Sequence, residues 1–266
     1  MRLLFMRGAA PGRTRAPFRW RGDGVSRIEG LSDAVFGFAI TLVAVSLEVP
    51  RTAVELLHNA VGFVPFVASF LVLFFVWRAQ FEFFRRYGLE DEATIWLTGM
   101  LLVFVLSLIY PLKFLLNVFT DAVVAGDVAK DRLRLEQFPA VLALYAGSLT
   151  GIALSFTLLY RHAFRLGARL ELTELETFET RSMQHRWLRF AVIGGMMLLW
   201  CVVLISLGEH LRARDGVFKA VSQGGTLVIV VACLSQVIAR RRRSRHRDAL
   251  VARLDTEAPL AAERTD

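Results

Sequence analysis

The sequence predicts an all-α integral membrane protein of six transmembrane helices, and three observations carry the prediction. Apolar residues make up 55% of the chain, with a mean hydropathy of +0.48, above the roughly 45–50% usual in soluble domains. They fall into blocks close to the roughly 20 residues that cross a hydrocarbon core about 30 Å thick. The arginines lie in the gaps and tails around those blocks, where membrane orientation needs them.

That placement also decides how the charge is read. A net charge of +8 and a pI near 10.3 would suit a nucleic-acid binder, but basic residues confined to the edges of apolar blocks orient helices in a bilayer instead. The two cysteines, Cys201 and Cys233, sit in different apolar blocks with no CxxC or Cys/His metal spacing, so they read as small buried hydrophobes.

Residues 1–26 are rich in Arg, Gly and Pro, including Arg13, Arg15, Arg19 and Arg21. They lack the apolar core and cleavage site of a signal peptide and read as a disordered basic cytoplasmic arm, or as an overlong start. Residues 27–240 read as one six-helix membrane domain. Its first block runs from about Leu31 to Val49 and stops at Pro50. The second covers about Ala60 to Trp77, with an amphipathic extension to Tyr87. The third spans about Ala93 to Leu116 and carries Pro111, tolerable where neighbours or water re-satisfy the backbone.

A polar loop from Asn117 to Glu136 leads to the fourth block, about Phe138 to Tyr160, whose Gly147, Ser148, Gly151 and Ser155 suit close helix contact. Charged residues from Arg161 to Arg186 form a connection, part of it an amphipathic helix. The fifth block covers about Trp187 to Leu207 and the sixth about Phe218 to Ala239. Residues 241–266 are a basic, then polar, cytoplasmic tail. The run Arg240–Arg243 abuts the last helix and reads as a membrane-surface anchor rather than a nucleic-acid contact.

Counting Lys and Arg in each gap gives the orientation. The amino-terminal arm is basic, as are the gap after helix two (Arg78, Arg85, Arg86) and the gap after helix four (Arg161, Arg165, Arg169, Arg181, Arg186, Arg189). The alternate gaps are poorer or mixed in sign: Arg51; Lys113, Lys130, Arg132 and Arg134 among acids; Arg212, Arg214 and Lys219. Basic gaps face the cytoplasm, so both termini are expected inside a plasma-membrane protein. The second half does not repeat the first helix, so any symmetric pore must come from separate subunits.

Five blocks are ordinary apolar helices, and the first is not. Ser32, Asp33, Thr41, Ser46 and Glu48 interrupt it, and an aspartate at mid-bilayer costs about 2.5–3.5 kcal/mol on insertion scales. Such a helix belongs in a bundle interior or against water. At 100° per residue, Ala34, Phe38, Thr41, Leu42, Val45 and Glu48 share one face, with Asp33, Gly37 and Ala44 on a less bulky one beside it. That pattern fits a pathway-lining helix, and equally the packing of almost any membrane helix.

The stretch Arg27-x-x-x-Leu31-Ser32-Asp33, continuing through Phe36, Ile40-Thr41-Leu42 and Glu48-Val49-Pro50, resembles the signature of the transmembrane protein 175 family of lysosomal and bacterial potassium channels. That signature is an arginine, three residues, then Phe-Ser-Asp opening the first helix. Ser69-Phe70 and Trp77 in the second block and Tyr110-Pro111 in the third extend a weaker similarity. The resemblance implies a bacterial-type subunit that forms a homotetramer, its four first helices lining a central pore for K+. It implies rings of bulky apolar side chains at Phe38, Leu42 and Val45, with Thr41 beside them, in place of a carbonyl filter. Such constrictions gate by dewetting.

It further implies that Arg27, Ser32 and Asp33 form a polar clamp to neighbouring helices, with Trp77 as a donor; a plain helix N-cap by Ser32 and Asp33 is the other reading. The sequence departs from the family at Leu31, where Phe is usual, at Phe38, where an aliphatic residue is usual, and in helix two, where Arg78, Ala79 and Gln80 follow Trp77 and a histidine is expected.

Other function classes are less well served. A proton or cation transporter needs ionisable groups at mid-membrane, whereas Glu48, Glu209 and His210 lie at helix ends. There is no HExxH, GxSxG or P-loop, and no histidine pair has metal-ligand spacing, so no catalytic residue, metal or cofactor is expected. A non-conducting membrane scaffold of the same fold is the remaining alternative. The expected partners are K+, the lipid bilayer and further copies of the chain, with no nucleic acid.

Overall fold

A computed structural model describes residues 18–22, 24–45, 52–53, 63–124 and 138–211. Within them lie five helices: α1 (Arg27–Ala44), α2 (Phe63–Tyr87), α3 (Glu92–Val124), α4 (Phe138–Arg165) and α5 (Glu174–Leu211). Four of these, α2 to α5, are long and apolar enough to cross a membrane, and α1 is not among them. The chain is an all-helical membrane protein. The expected sixth block, Phe218–Ala239, and the basic tail after it lie outside the described residues.

α1 begins earlier than its apolar stretch, because its cap lies earlier. The Ser26 side chain accepts from the Glu29 backbone N–H at 3.1 Å, satisfying one of the helix's orphan donors. Ser32 and Asp33 therefore sit inside the helix, and the N-cap reading for them is corrected. The acidic Glu29 also lies in the first turn, where the helix dipole favours negative charge.

α2 ends at Tyr87 because Gly88 adopts φ +57 and returns its N–H to the Phe84 carbonyl at 2.8 Å, the left-handed glycine cap that closes many helices. The last carbonyls there are covered by a segment from the amino-terminal side. The N–H groups of Arg21 and Gly22 donate to the Arg85 carbonyl at 3.1 and 3.3 Å. A Cβ at Gly22 would stand 2.7 Å from the Phe84 carbonyl oxygen, so only glycine allows this approach.

Residues 18–22, within the arm that the sequence reads as disordered, are thus docked. The Phe18 ring meets Tyr87 edge-on at 5.7 Å, and the Arg86 guanidinium lies 4.7 Å from its centroid. Arg21 binds Glu176 at 2.6 Å and donates to the Leu170 carbonyl at 2.8 Å.

α4 and α5 form an antiparallel pair. Phe156 stacks on Trp187 at 4.3 Å, while further along a Cβ at Gly194 would meet the Thr150 hydroxyl at 2.3 Å. At 1.5 Å rise per residue the 38 residues of α5 extend about 57 Å, nearly twice a bilayer core. Of the charged stretch expected as a connection, Arg161–Arg165 ends α4, residues 166–173 make the turn, and Glu174–Arg186 is the first third of α5, running without a break into the apolar part.

α4 also packs on α3 through small residues. A Cβ at Gly151 would fall 2.3 Å from the Phe104 ring, whereas Gly147 has nothing within 4 Å. Of the expected small-residue contacts, Gly151 meets the Phe104 ring and Ser148 shares a hydrogen bond with Ser107 of α3 at 3.1 Å. The core centres on Phe36, Phe83, Tyr87, Leu101, Phe156 and Tyr160, all essentially without exposure.

Candidate functional site: the outward face of helix one

α1 divides into two faces. Ser32, Phe36, Ala39 and Val43 are buried against α2 and α3. Ala34, Gly37, Phe38, Thr41 and Val45 are exposed, Phe38 by 59% and Val45 by 73%. The i, i+4, i+7, i+11 spacing from Ala34 to Val45 makes them one stripe. Leu42, expected on this stripe, is only partly exposed and leans into the core. Glu48 lies outside the described residues.

The stripe is apolar except for one hydroxyl, at Thr41. The Thr41 hydroxyl donates to the Gly37 carbonyl at 2.9 Å, so its hydrogen is used within the helix and its oxygen faces outward. Gly37 has nothing within 4 Å of where a Cβ would be, so the lightly built face beside the stripe is open at that position.

Two side-chain bonds tie α1 to α2. Trp77 Nε1 donates to Asp33 Oδ1 at 2.8 Å, and Gln80 Nε2 donates to Ser32 Oγ at 2.8 Å. Ser32 in turn donates to the Ile28 carbonyl at 2.7 Å. Ser32 and Gln80 are each only 2% exposed, so their bond lies in low dielectric, where an unpaired polar group is costly. Arg27 is exposed and joins neither bond. The arginine facing α1 is Arg85, whose Nε lies 3.9 Å from Glu29.

Gln80 carried a signal in the sequence: three residues after Trp77, it falls on the same helical face. Arg85, Arg21 and Glu176 carried none, because their contacts span 56 to 155 residues. A further pair closes the far end of α3. His162 Nε2 lies 2.6 Å from Asp91 Oδ2, and Thr94 donates to Asp91 Oδ1 at 2.7 Å. Burial alone would raise the Asp91 carboxyl, but the bonds from Thr94 and His162 outweigh it and hold it below its ordinary value. Among the described residues no group of three or more His, Cys, Asp or Glu could hold a metal.

Residues 27–109 match the family described as endosomal/lysosomal potassium channel TMEM175. A potassium channel of Marivirga tractuosa is 30% identical over 230 residues, covering 84% of this chain and 90% of the relative. The chain belongs to the TMEM175 family. A potassium channel of Chamaesiphon minutus is 28% identical over 147 residues, covering 52% of this chain and 64% of that one. Among solved structures, a variant of the potassium channel MtTMEM175 superimposes with a TM-score of 0.71 at 26% identity, covering 86% of this chain and 98% of that chain. The TMEM175 family is one of channels rather than enzymes. Its match spans α1, α2 and about the first half of α3, and so takes in the outward stripe and the bonds behind it.

Proposed function

We propose that the chain is the subunit of a potassium-permeable cation channel in which four copies gather their α1 helices around a central pathway. The observation that carries the reading is the division of α1: one face is buried in its own subunit, while Phe38, Thr41 and Val45 point away from it. The family's named potassium channels support the choice of ion.

In this arrangement Phe38 and Val45 form apolar rings that exclude water when narrow, with Leu42 behind them. The Thr41 oxygens between the rings replace part of an ion's hydration. K+ gives up its water more readily than Na+, so partial dehydration favours it. The Trp77–Asp33 and Gln80–Ser32 bonds set the rotation of α1 and hold the stripe toward the axis. Both termini are cytoplasmic in a plasma-membrane protein, as the arginine distribution requires.

A thiol scan tests this placement. Thr41→Cys should react with a water-soluble methanethiosulfonate and lose current, while Val43→Cys, on the buried face, should be spared; equal labelling of both positions would refute it. One observation favours a second reading, a non-conducting scaffold: four phenyl rings at Phe38 would fill an axis more completely than aliphatic side chains.

A further inference from the structure

Arg186 and Arg189 on α5 each keep buried guanidinium N–H groups without an acceptor among the described residues. The Nε of Arg186 and both Nε and Nη2 of Arg189 are buried and have no hydrogen-bond partner among the described residues. Three residues apart, the two side chains share one helix face. Burying an unpaired guanidinium costs more than burying an unpaired neutral donor, so the arrangement calls for an acceptor.

The acids in the neighbourhood are already engaged. Glu176 holds Arg21 at 2.6 Å, Glu82 pairs with Arg86, and Glu179 lies 3.6 Å from Arg86. Glu174 stands twelve residues before Arg186 on the same helix, about 18 Å away along the axis and out of reach.

The position of the pair fits a membrane surface. Arg189 is the last charged residue before an apolar run from Phe190 to Ser206. Beside the pair, Trp187 stacks on Phe156 at 4.3 Å in the core and lies 5.8 Å from the exposed Phe190. Below Arg189 on the same side, Val192 and Met196 are about half exposed, an apolar track that would receive an acyl chain.

We propose that Arg186 and Arg189 form a binding site for a phosphate group of uncompensated negative charge, unlike the zwitterionic headgroup of phosphatidylcholine, the two guanidinium forks matching its oxygens. The apolar track below makes an anionic phospholipid the occupant it suits, with inorganic phosphate as the other source of the same chemistry. The site is a binding site and does not depend on conduction.

The test is thermal unfolding of the full-length protein in detergent, with added phosphatidylglycerol, phosphatidylcholine or inorganic phosphate, for wild type and R186Q/R189Q. Phosphatidylglycerol should raise the wild-type Tm by roughly 5 °C over phosphatidylcholine, and the double variant should lose that difference. Inorganic phosphate reproducing the rise would support the site with a soluble occupant. No difference between the two lipids in wild type, or the same rise in the double variant, would overturn the proposal. If R186Q/R189Q does not fold, native mass spectrometry of wild type decides: phosphatidylglycerol retained at one per subunit, where phosphatidylcholine is not, supports the site, and equal retention overturns it.

Discussion

Trp77 donates its indole N–H to the Asp33 carboxylate at 2.8 Å, and one turn away Gln80 reaches Ser32 on the same pair of helices at 2.8 Å. The two bonds, one buried and one exposed, tie α1 to α2 while another side of α1 is open, so they fix which residues that open side presents. Their loss is expected to disturb orientation as well as stability.

Trp77→Phe keeps most of the ring packing against Phe74 and Phe81 and removes the donor. The bond is partly exposed, so its loss should cost about 1 kcal/mol, seen as a fall of a few degrees in Tm. Asp33→Asn should cost a similar amount, and the double variant less than the sum, because both delete one interaction. Additive losses would mean the bond contributes nothing in solution.

Ser32 and Gln80 predict an asymmetry. Gln80 Oε1 is buried without a partner among the described residues. Ser32→Ala strands the amide N–H as well and should destabilise by about 1–3 kcal/mol. Gln80→Leu removes both amide groups while Ser32 keeps its bond to the Ile28 carbonyl, and should be close to neutral. Equilibrium unfolding of the two variants checks the order.

The sequence revealed the apolar blocks and the anomaly of helix one because both are local. Block length marks a span, and Ser32, Asp33 and Thr41 are visible wherever the chain folds. The docking of residues 18–22 was not legible: an Arg/Gly/Pro-rich segment has the composition of disorder, and what orders it is a carboxylate at Glu176 and a helix end at Arg85 far along the chain. The start of α1 was misread because apolar periodicity begins at Leu31, whereas the capping hydroxyl belongs to Ser26. The unbroken course of α5 was obscured for a related reason: charge changes at Arg186, but nothing between Glu174 and Arg189 breaks a helix.

Gly151→Ala should destabilise the α3–α4 contact. The new Cβ would lie 2.3 Å from the Phe104 ring, and relief requires the ring or the helix to move, at about 1–3 kcal/mol. Gly147→Ala, with open space at that position, serves as the control and should change Tm little.

Acid sensitivity should follow Asp91. Its carboxyl titrates below the ordinary value in the folded protein, so its stabilisation is present in full above the unfolded carboxylate pKa of about 3.9 and fades as pH falls through the lower folded one. Tm measured from pH 6 down to 3 should drop less steeply at the acid end in Asp91→Asn than in wild type. Parallel curves would remove Asp91 as a source of acid lability.

The central claim is that ions cross along the open face of α1, and potassium flux into liposomes carrying the purified protein tests it most directly, with a sodium gradient as control and Phe38→Ala alongside. The account predicts potassium flux above sodium flux in wild type and altered discrimination in Phe38→Ala. Wild type and variant both silent, with the protein folded and oligomeric, would contradict it and leave the scaffold reading in its place.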